Sequence, residues 1–140
     1  MTKPVKNKGA IITSHFGTRV IPNGDTEFHG GIDIAVPGVK RVPIYAACSG
    51  KIAALTDEKA SCGNAVFIKP YVGDYYCLYF HLDFLNPDLS VADSLLAGDY
   101  LGTMGNTGVS RGVHLHYGHR KGLTSGTECI DPIEVAGLYA

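Results

Sequence analysis

Two histidines one residue apart, His114 and His116, head the set of side chains in this sequence that could do chemistry. In an extended strand successive side chains alternate faces, so both imidazoles reach the same side and can serve one site. One could hold a metal while the other does acid–base work. Upstream, His29-Gly-Gly-Ile-Asp33 offers a further imidazole and a carboxylate, and His81 lies between the two motifs. A catalytic zinc takes three protein ligands from His and Asp or Glu and leaves a fourth position for water, which two imidazoles and one carboxylate satisfy. Such a set with open positions also suits iron. A solitary His-x-His on a strand is more often packing or surface, so these residues gain meaning only if the chain brings them together.

The elements that must do so are strands. Arg111 to Gly118 interleaves Val113, Leu115 and Tyr117 with the histidines, the period-2 pattern of a strand with one apolar face. Gly30 and Gly31 argue against a helix ahead of Ile32-Asp-Ile-Ala-Val36 and let the backbone approach closely. The arrangement therefore differs from the helical His-Glu-x-x-His zinc motif. Along the rest of the chain, short β-rich segments alternate with Gly, Pro, Asn and Asp, and 18 glycines leave no long amphipathic helical period. This predicts a mainly β, antiparallel architecture with few or no helices. The best helix candidate is a short turn near Asp93-Ser-Leu-Leu-Ala97. With 140 residues the chain can bury one self-supporting core. Residues 1–9, polar and lysine-bearing, are expected to form a loose tail, leaving 10–140 as a single domain.

A net charge of −1 gives no electrostatic footprint for nucleic acid. No apolar run is long enough to span a membrane. Met-Thr-Lys-Pro is followed by polar residues, so the opening does not read as a secretion signal. Four cysteines, at 48, 62, 77 and 129, show no Cys-x-x-Cys spacing, which argues against a Cys-type zinc site. Cys48 and Cys77 fall in apolar strand-like segments and read as buried free thiols; a disulfide, with Cys62 as one candidate, is the alternative in an extracellular setting.

The sequence resembles the lysostaphin/LytM-type peptidoglycan metallopeptidases, zinc endopeptidases whose hallmarks are His-x-x-x-Asp and a later His-x-His. The likeness extends from about residue 11 to 133. Ser14-His-Phe-Gly-Thr-Arg19 resembles the family's opening turn, and Phe28 to Ala35 its first ligand strand. Pro43 to Ala47 with Ser49 to Ile52 looks like the next hairpin, and Gly63 to Ile68 like the strand after it. Leu78-Tyr-Phe-His-Leu82 matches the family's middle histidine, and Gly98 to Gly102 with Gly105 to Gly108 the approach to His-x-His.

The resemblance implies a lysostaphin/LytM-like β fold and assigns His29, Asp33 and His116 as zinc ligands, with His81 and His114 as the unliganded pair beside the metal. Zinc lowers the pKa of bound water from about 16 to roughly 7 in the best-studied sites and polarises a scissile carbonyl. Histidine titrates in the range needed to move a proton from water to a departing amine. His114 is assigned as general base, and His81 as oxyanion donor or acid toward the leaving group. Gly30 and Gly31 would let a substrate backbone lie close to the metal, and tyrosines near the motif strands, Tyr45, Tyr75, Tyr76, Tyr79 and Tyr117, could line a peptide groove.

Where the family commonly continues Phe-Glu after His-x-His, this sequence has Tyr117-Gly118 and then His119, which reads as a rim residue, a substitute partner or an ordinary exposed or hydrogen-bonded histidine. The expected substrate is peptidoglycan, with the D-alanyl to diaminopimelate cross-link favoured over glycyl-glycine bridges. The expected setting is the bacterial cell wall or periplasm, and the lack of a recognisable signal favours a phage-released or virion-associated source with phage tail or virion proteins as partners. The alternative is a non-catalytic wall-binding or structural tail-tip domain. Relatives of that kind usually lack one of the five site residues, and all five are present here.

Overall fold

Runs of β-branched and aromatic residues too short to make a helical stripe, each closed by Gly, Pro or Asn, fold as strands. In the computed structural model, which describes residues 1–140, these are β1 (Ile11–Ser14), β2 (Gly17–Val20), β3 (Thr26–His29), β4 (Ile32–Ala35), β5 (Pro43–Tyr45), β6 (Gly50–Thr56), β7 (Asn64–Pro70), β8 (Tyr76–Leu85), β9 (Ser94–Leu95), β10 (Tyr100–Met104), β11 (Leu115–Arg120) and β12 (Cys129–Ile130). One α-helical turn, α1 (Ile133–Ala136), and a 3-10 turn at Gly137–Tyr139 close the chain. The main sheet runs β1-β4-β11-β8-β7-β6-β9, with β10 bridging β5 and β8 and β12 beside β11, while β2 and β3 form a separate hairpin. Every pairing is antiparallel, as the alternation predicts.

The sheet sorts core from site by strand alternation. On β4, Ile32 and Ile34 are buried in the main core and Asp33 between them faces the other way; on β11, Leu115 and Tyr117 enter the same core and His116 faces out. The register sets Asp33 directly across from His116 and His116 across from Phe80 on β8. Hydrophobic burial of the two isoleucines and of Leu115 and Tyr117 therefore fixes where the polar residues on the opposite face meet.

The fold departs from three expectations. Residues 1–9 are not a loose tail: Val5 is fully buried in the main core. Its N–H donates to the Tyr139 hydroxyl (2.9 Å), which donates to the Val5 carbonyl (2.8 Å), while Tyr45 N–H bonds Pro4 O (2.9 Å) and Thr2 N–H bonds Ala47 O (2.8 Å). A single apolar anchor among polar neighbours outweighs the composition. The Asp93–Ala97 stretch holds strand β9, paired with β6 through Gly50 and Leu95, because Leu95 is drawn into the core. Pro43 to Ala47 and Ser49 to Ile52 do not form one hairpin; β5 pairs with β10, and β6 with β7.

Candidate metal centre

Three donor atoms converge from three strands: His29 at the end of β3, Asp33 in the middle of β4 and His116 on β11. His29 Nε2 lies 3.1 Å from Asp33 Oδ1 and 3.2 Å from His116 Nδ1, and His116 Nδ1 lies 3.2 Å from the same oxygen. Around a tetrahedral zinc at its usual bond lengths, neighbouring donors stand about 3.3 Å apart. The triangle matches one face of that tetrahedron. His29 Nδ1–H donates to the His15 carbonyl at 3.0 Å, which orients the ring so that Nε2 is the atom in the triangle, as a metal ligand's outer hydrogen bond does. The donor set thus fits a divalent metal with its open side toward a cavity of about 700 Å³.

Electrostatics favour the ligand forms. Burial acts to raise the Asp33 carboxyl, but the His116 and His29 imidazoles beside it outweigh this and hold it well below the usual range, so it stays ionised. Burial pushes the His116 imidazole below the ordinary histidine range, only partly offset by Asp33, and so favours the neutral ring a metal requires.

His114 and His81 flank this triangle. His114 Nδ1–H donates to the Gly112 carbonyl at 2.7 Å, and its Nε2 lies 3.5 Å from Asp33 Oδ1. His81 Nδ1–H donates to the Thr107 carbonyl at 2.8 Å, and its ring centroid is 5.1 Å from that of His114. Backbone carbonyls thus hold both Nδ1–H groups, and both rings line the cavity with Nε2 left for chemistry. Burial pushes His81 down as well, against the Thr107 hydrogen bond.

His81 reaches the site through a bulge. Phe80 pairs with His116, so strict alternation would turn His81 toward the core, where Tyr79 and Leu82 are fully buried. The β7–β8 register slips between Asn64 and Val66, and His81 takes a left-handed backbone (φ 69°), so Phe80 and His81 both line the cavity. A period-2 reading has no signal for this extra residue.

Arg19 is a residue of this site that sequence reasoning passed over, although it ends the opening-turn motif. Its guanidinium holds Asp33 Oδ2 at 3.1 Å, Ser14 Oγ at 2.7 Å and, through Nε, Glu27 at 2.8 Å. Arg19 and Glu27 face each other across the β2–β3 hairpin, and Arg111 reaches the same Glu27 oxygen at 2.7 Å. Asp33 thus offers Oδ1 to the metal position while Oδ2 is tied down.

Other expected residues lie elsewhere. Gly30 lines the cavity; a Cβ on Gly31 would stand 2.5 Å from the Tyr117 carbonyl and 2.8 Å from His116 Nε2, so the bare glycine makes room for the ligand strand. Tyr117 is not a groove residue: it lies on the opposite face of β11 from His116, fully buried. None of the five candidate tyrosines lines the cavity, whose aromatic walls are Phe28 and Phe80. His119 is no rim residue either. It is buried, its Nε2 shares a 2.7 Å hydrogen bond with the Tyr117 hydroxyl, and it packs on Tyr75.

Residues 27–132 match peptidase family M23. The chain belongs to that family. It is 33% identical over 126 residues to the DD-carboxypeptidase/endopeptidase Mpg of Neisseria meningitidis, covering 89% of this chain but 27% of that protein. The chain therefore spans about a quarter of the length of this curated relative. Among solved M23 structures, the fold is similar to a variant of the catalytic domain of the prophage-encoded protein EnpA of Enterococcus faecalis, with TM-score 0.76, 28% identity and coverage of 94% and 95% of the two chains. It also resembles the catalytic domain of the antimicrobial peptidase lysostaphin of Staphylococcus simulans, with TM-score 0.72, 25% identity and coverage of 91% and 92%. The lysostaphin-like M23 architecture thus spans nearly the whole chain.

Proposed function

We propose that this M23 chain is a zinc-dependent endopeptidase that hydrolyses peptide bonds in the stem or cross-bridge of peptidoglycan, with the D-alanyl to diaminopimelate cross-link as its bond. The observation that carries the reading is the 3.1–3.2 Å triangle of His29, Asp33 and His116 donors beside two histidines of fixed tautomer. Zinc bound to that triangle would supply Lewis acidity, acidifying water and polarising the scissile carbonyl. His114, with Nδ1–H held by the Gly112 carbonyl and Nε2 turned to the cavity, accepts the proton of the attacking water. His81, once protonated at Nε2, hydrogen-bonds the developing oxyanion or delivers a proton to the leaving amine. Arg19 keeps Asp33 in its ligating orientation. The choice of bond draws on the likeness to Mpg, which is named a DD-carboxypeptidase/endopeptidase. A phage source would account for the likeness to the prophage-encoded EnpA domain.

The test is mass spectrometry of soluble fragments released from purified peptidoglycan of both cross-link types, with and without a zinc chelator. New amino termini that vanish with chelator identify the bond and the metal dependence. No new termini from either wall, with zinc bound and the protein folded, would replace this reading with a wall-binding one.

A further inference from the structure

A second cavity of about 640 Å³ adjoins the metal centre, and Ala35 and Val113 wall both. Its floor is apolar, with Val36 and Met104 buried and Val39 and Val113 exposed at the rim. Its charged and amide side chains are Lys40, Arg41, Asp83 and Asn106.

The two cavities differ in how their cations are spent. In the metal cavity Arg19 is paired with Asp33 and Glu27, and Arg111 with Glu27. In the second cavity, Lys40 and Arg41 are exposed and form no ion pair; the chain's remaining Lys or Arg pair, Lys121 with Asp74, involves neither. Asp83, the one carboxylate of the lining, leaves a positive excess. Both cations sit on the loop that follows β4, the strand bearing Asp33. The loop is pinned by Val39 N–H to Val36 O (3.2 Å) and by Met104 N–H to Val42 O (2.8 Å). Within it Arg41 holds a left-handed backbone (φ 56°), uncommon for a residue other than glycine. Two uncommitted cations on a tethered loop above an apolar floor suit an aliphatic residue that ends in an anion, and a guanidinium matches the planar geometry of a carboxylate.

We propose that this cavity is the subsite for a substrate residue bearing a free carboxylate next to the scissile bond, with Lys40 and Arg41 as its specificity determinants. This rests on the peptidase reading of the metal centre, and the test separates the two. The probes are two synthetic stem-type peptides, identical except that one carboxylate beside the scissile bond is free or amidated. The proteins are the wild type, the double variant Lys40→Gln/Arg41→Gln, and Lys51→Gln as a charge control outside both cavities.

Amidation is expected to raise KM for the wild type about fivefold, the scale of two exposed charge contacts. The double variant should raise KM by a similar factor for the free-carboxylate peptide alone, with kcat unchanged. Equal KM values for the two peptides in the wild type, an equal effect of the double variant on both, or the same rise with Lys51→Gln would each overturn the subsite while leaving the peptidase intact. If the wild type cuts neither peptide, amide NMR titration decides: shifts at residues 39–41 and 113 with the free-carboxylate peptide only support the subsite although the peptidase reading fails. Absence of those shifts overturns the subsite too.

Discussion

At the scale of single residues, the two histidines of His114-Leu-His116 divide by the nitrogen they present. His116 points Nδ1 into the donor triangle, whereas His114 spends Nδ1–H on the Gly112 carbonyl and turns Nε2 toward the cavity. His116→Ala should therefore lose zinc, measured by metal content after dialysis, and His114→Ala and His81→Ala should keep it while losing most turnover; the opposite pattern would exchange the two assignments. Arg19→Gln frees Asp33 Oδ2, and losing a partner that orients a ligand costs roughly 10-fold or more in metal affinity, readable by chelator competition. His119 makes a pH prediction. Burial pushes its imidazole down to about 4 from an ordinary 6.5, so the unfolded chain takes up the proton first as pH falls. Its contribution is complete above pH 6.5 and is lost as pH drops through about 4, for a total near 3 kcal/mol at most. His119→Gln should flatten the pH dependence of unfolding free energy across that window; an unchanged slope would show that His119 does not titrate there.

At the scale of elements, the site is a by-product of register. Four core residues, Ile32, Ile34, Leu115 and Tyr117, fix the alternation of β4 and β11, and Asp33 and His116 become cross-strand neighbours. This much was legible in the sequence, because apolar residues interleave with the polar ones in both segments. The bulge at His81 was not, since an inserted residue leaves the local pattern apolar and its cause lies in the slipped pairing with β7. Nor was the burial of His119: alternation puts it on the Tyr117 face of β11, but Tyr75, which covers it, arrives only once β11 pairs with β8. Arg19 was visible as part of a motif but not as a partner of Asp33, because the β2–β3 hairpin lies outside the main sheet and its docking has no periodic signature. The bulge carries its own test. A left-handed backbone penalises any Cβ, so His81→Gly should be more stable than His81→Ala by about 1 kcal/mol in urea unfolding, though both lack turnover. Equal stabilities would mean that position 81 relaxes out of that conformation.

At the scale of the whole molecule, the opening segment belongs to the core that carries the site. Val5 packs among residues that include Ile44, Leu101 and Val135, so Val5→Ala should cost about 2 kcal/mol, measured by chemical denaturation. A change under a few tenths would mean the segment detaches readily. The sequence did not show this, because Lys3, Lys6 and Lys8 surround the one apolar anchor and the residues that receive it lie far along the chain. The same clasp has a topological consequence. Because the Tyr139 phenol grips both backbone groups of Val5, the first and last segments of the domain meet, and the fold is a ring in all but a covalent bond. A short linker could join the ends and the ring could be reopened at the exposed tip between β2 and β3, giving a circular permutant with its metal-binding strands in their original order around the loop.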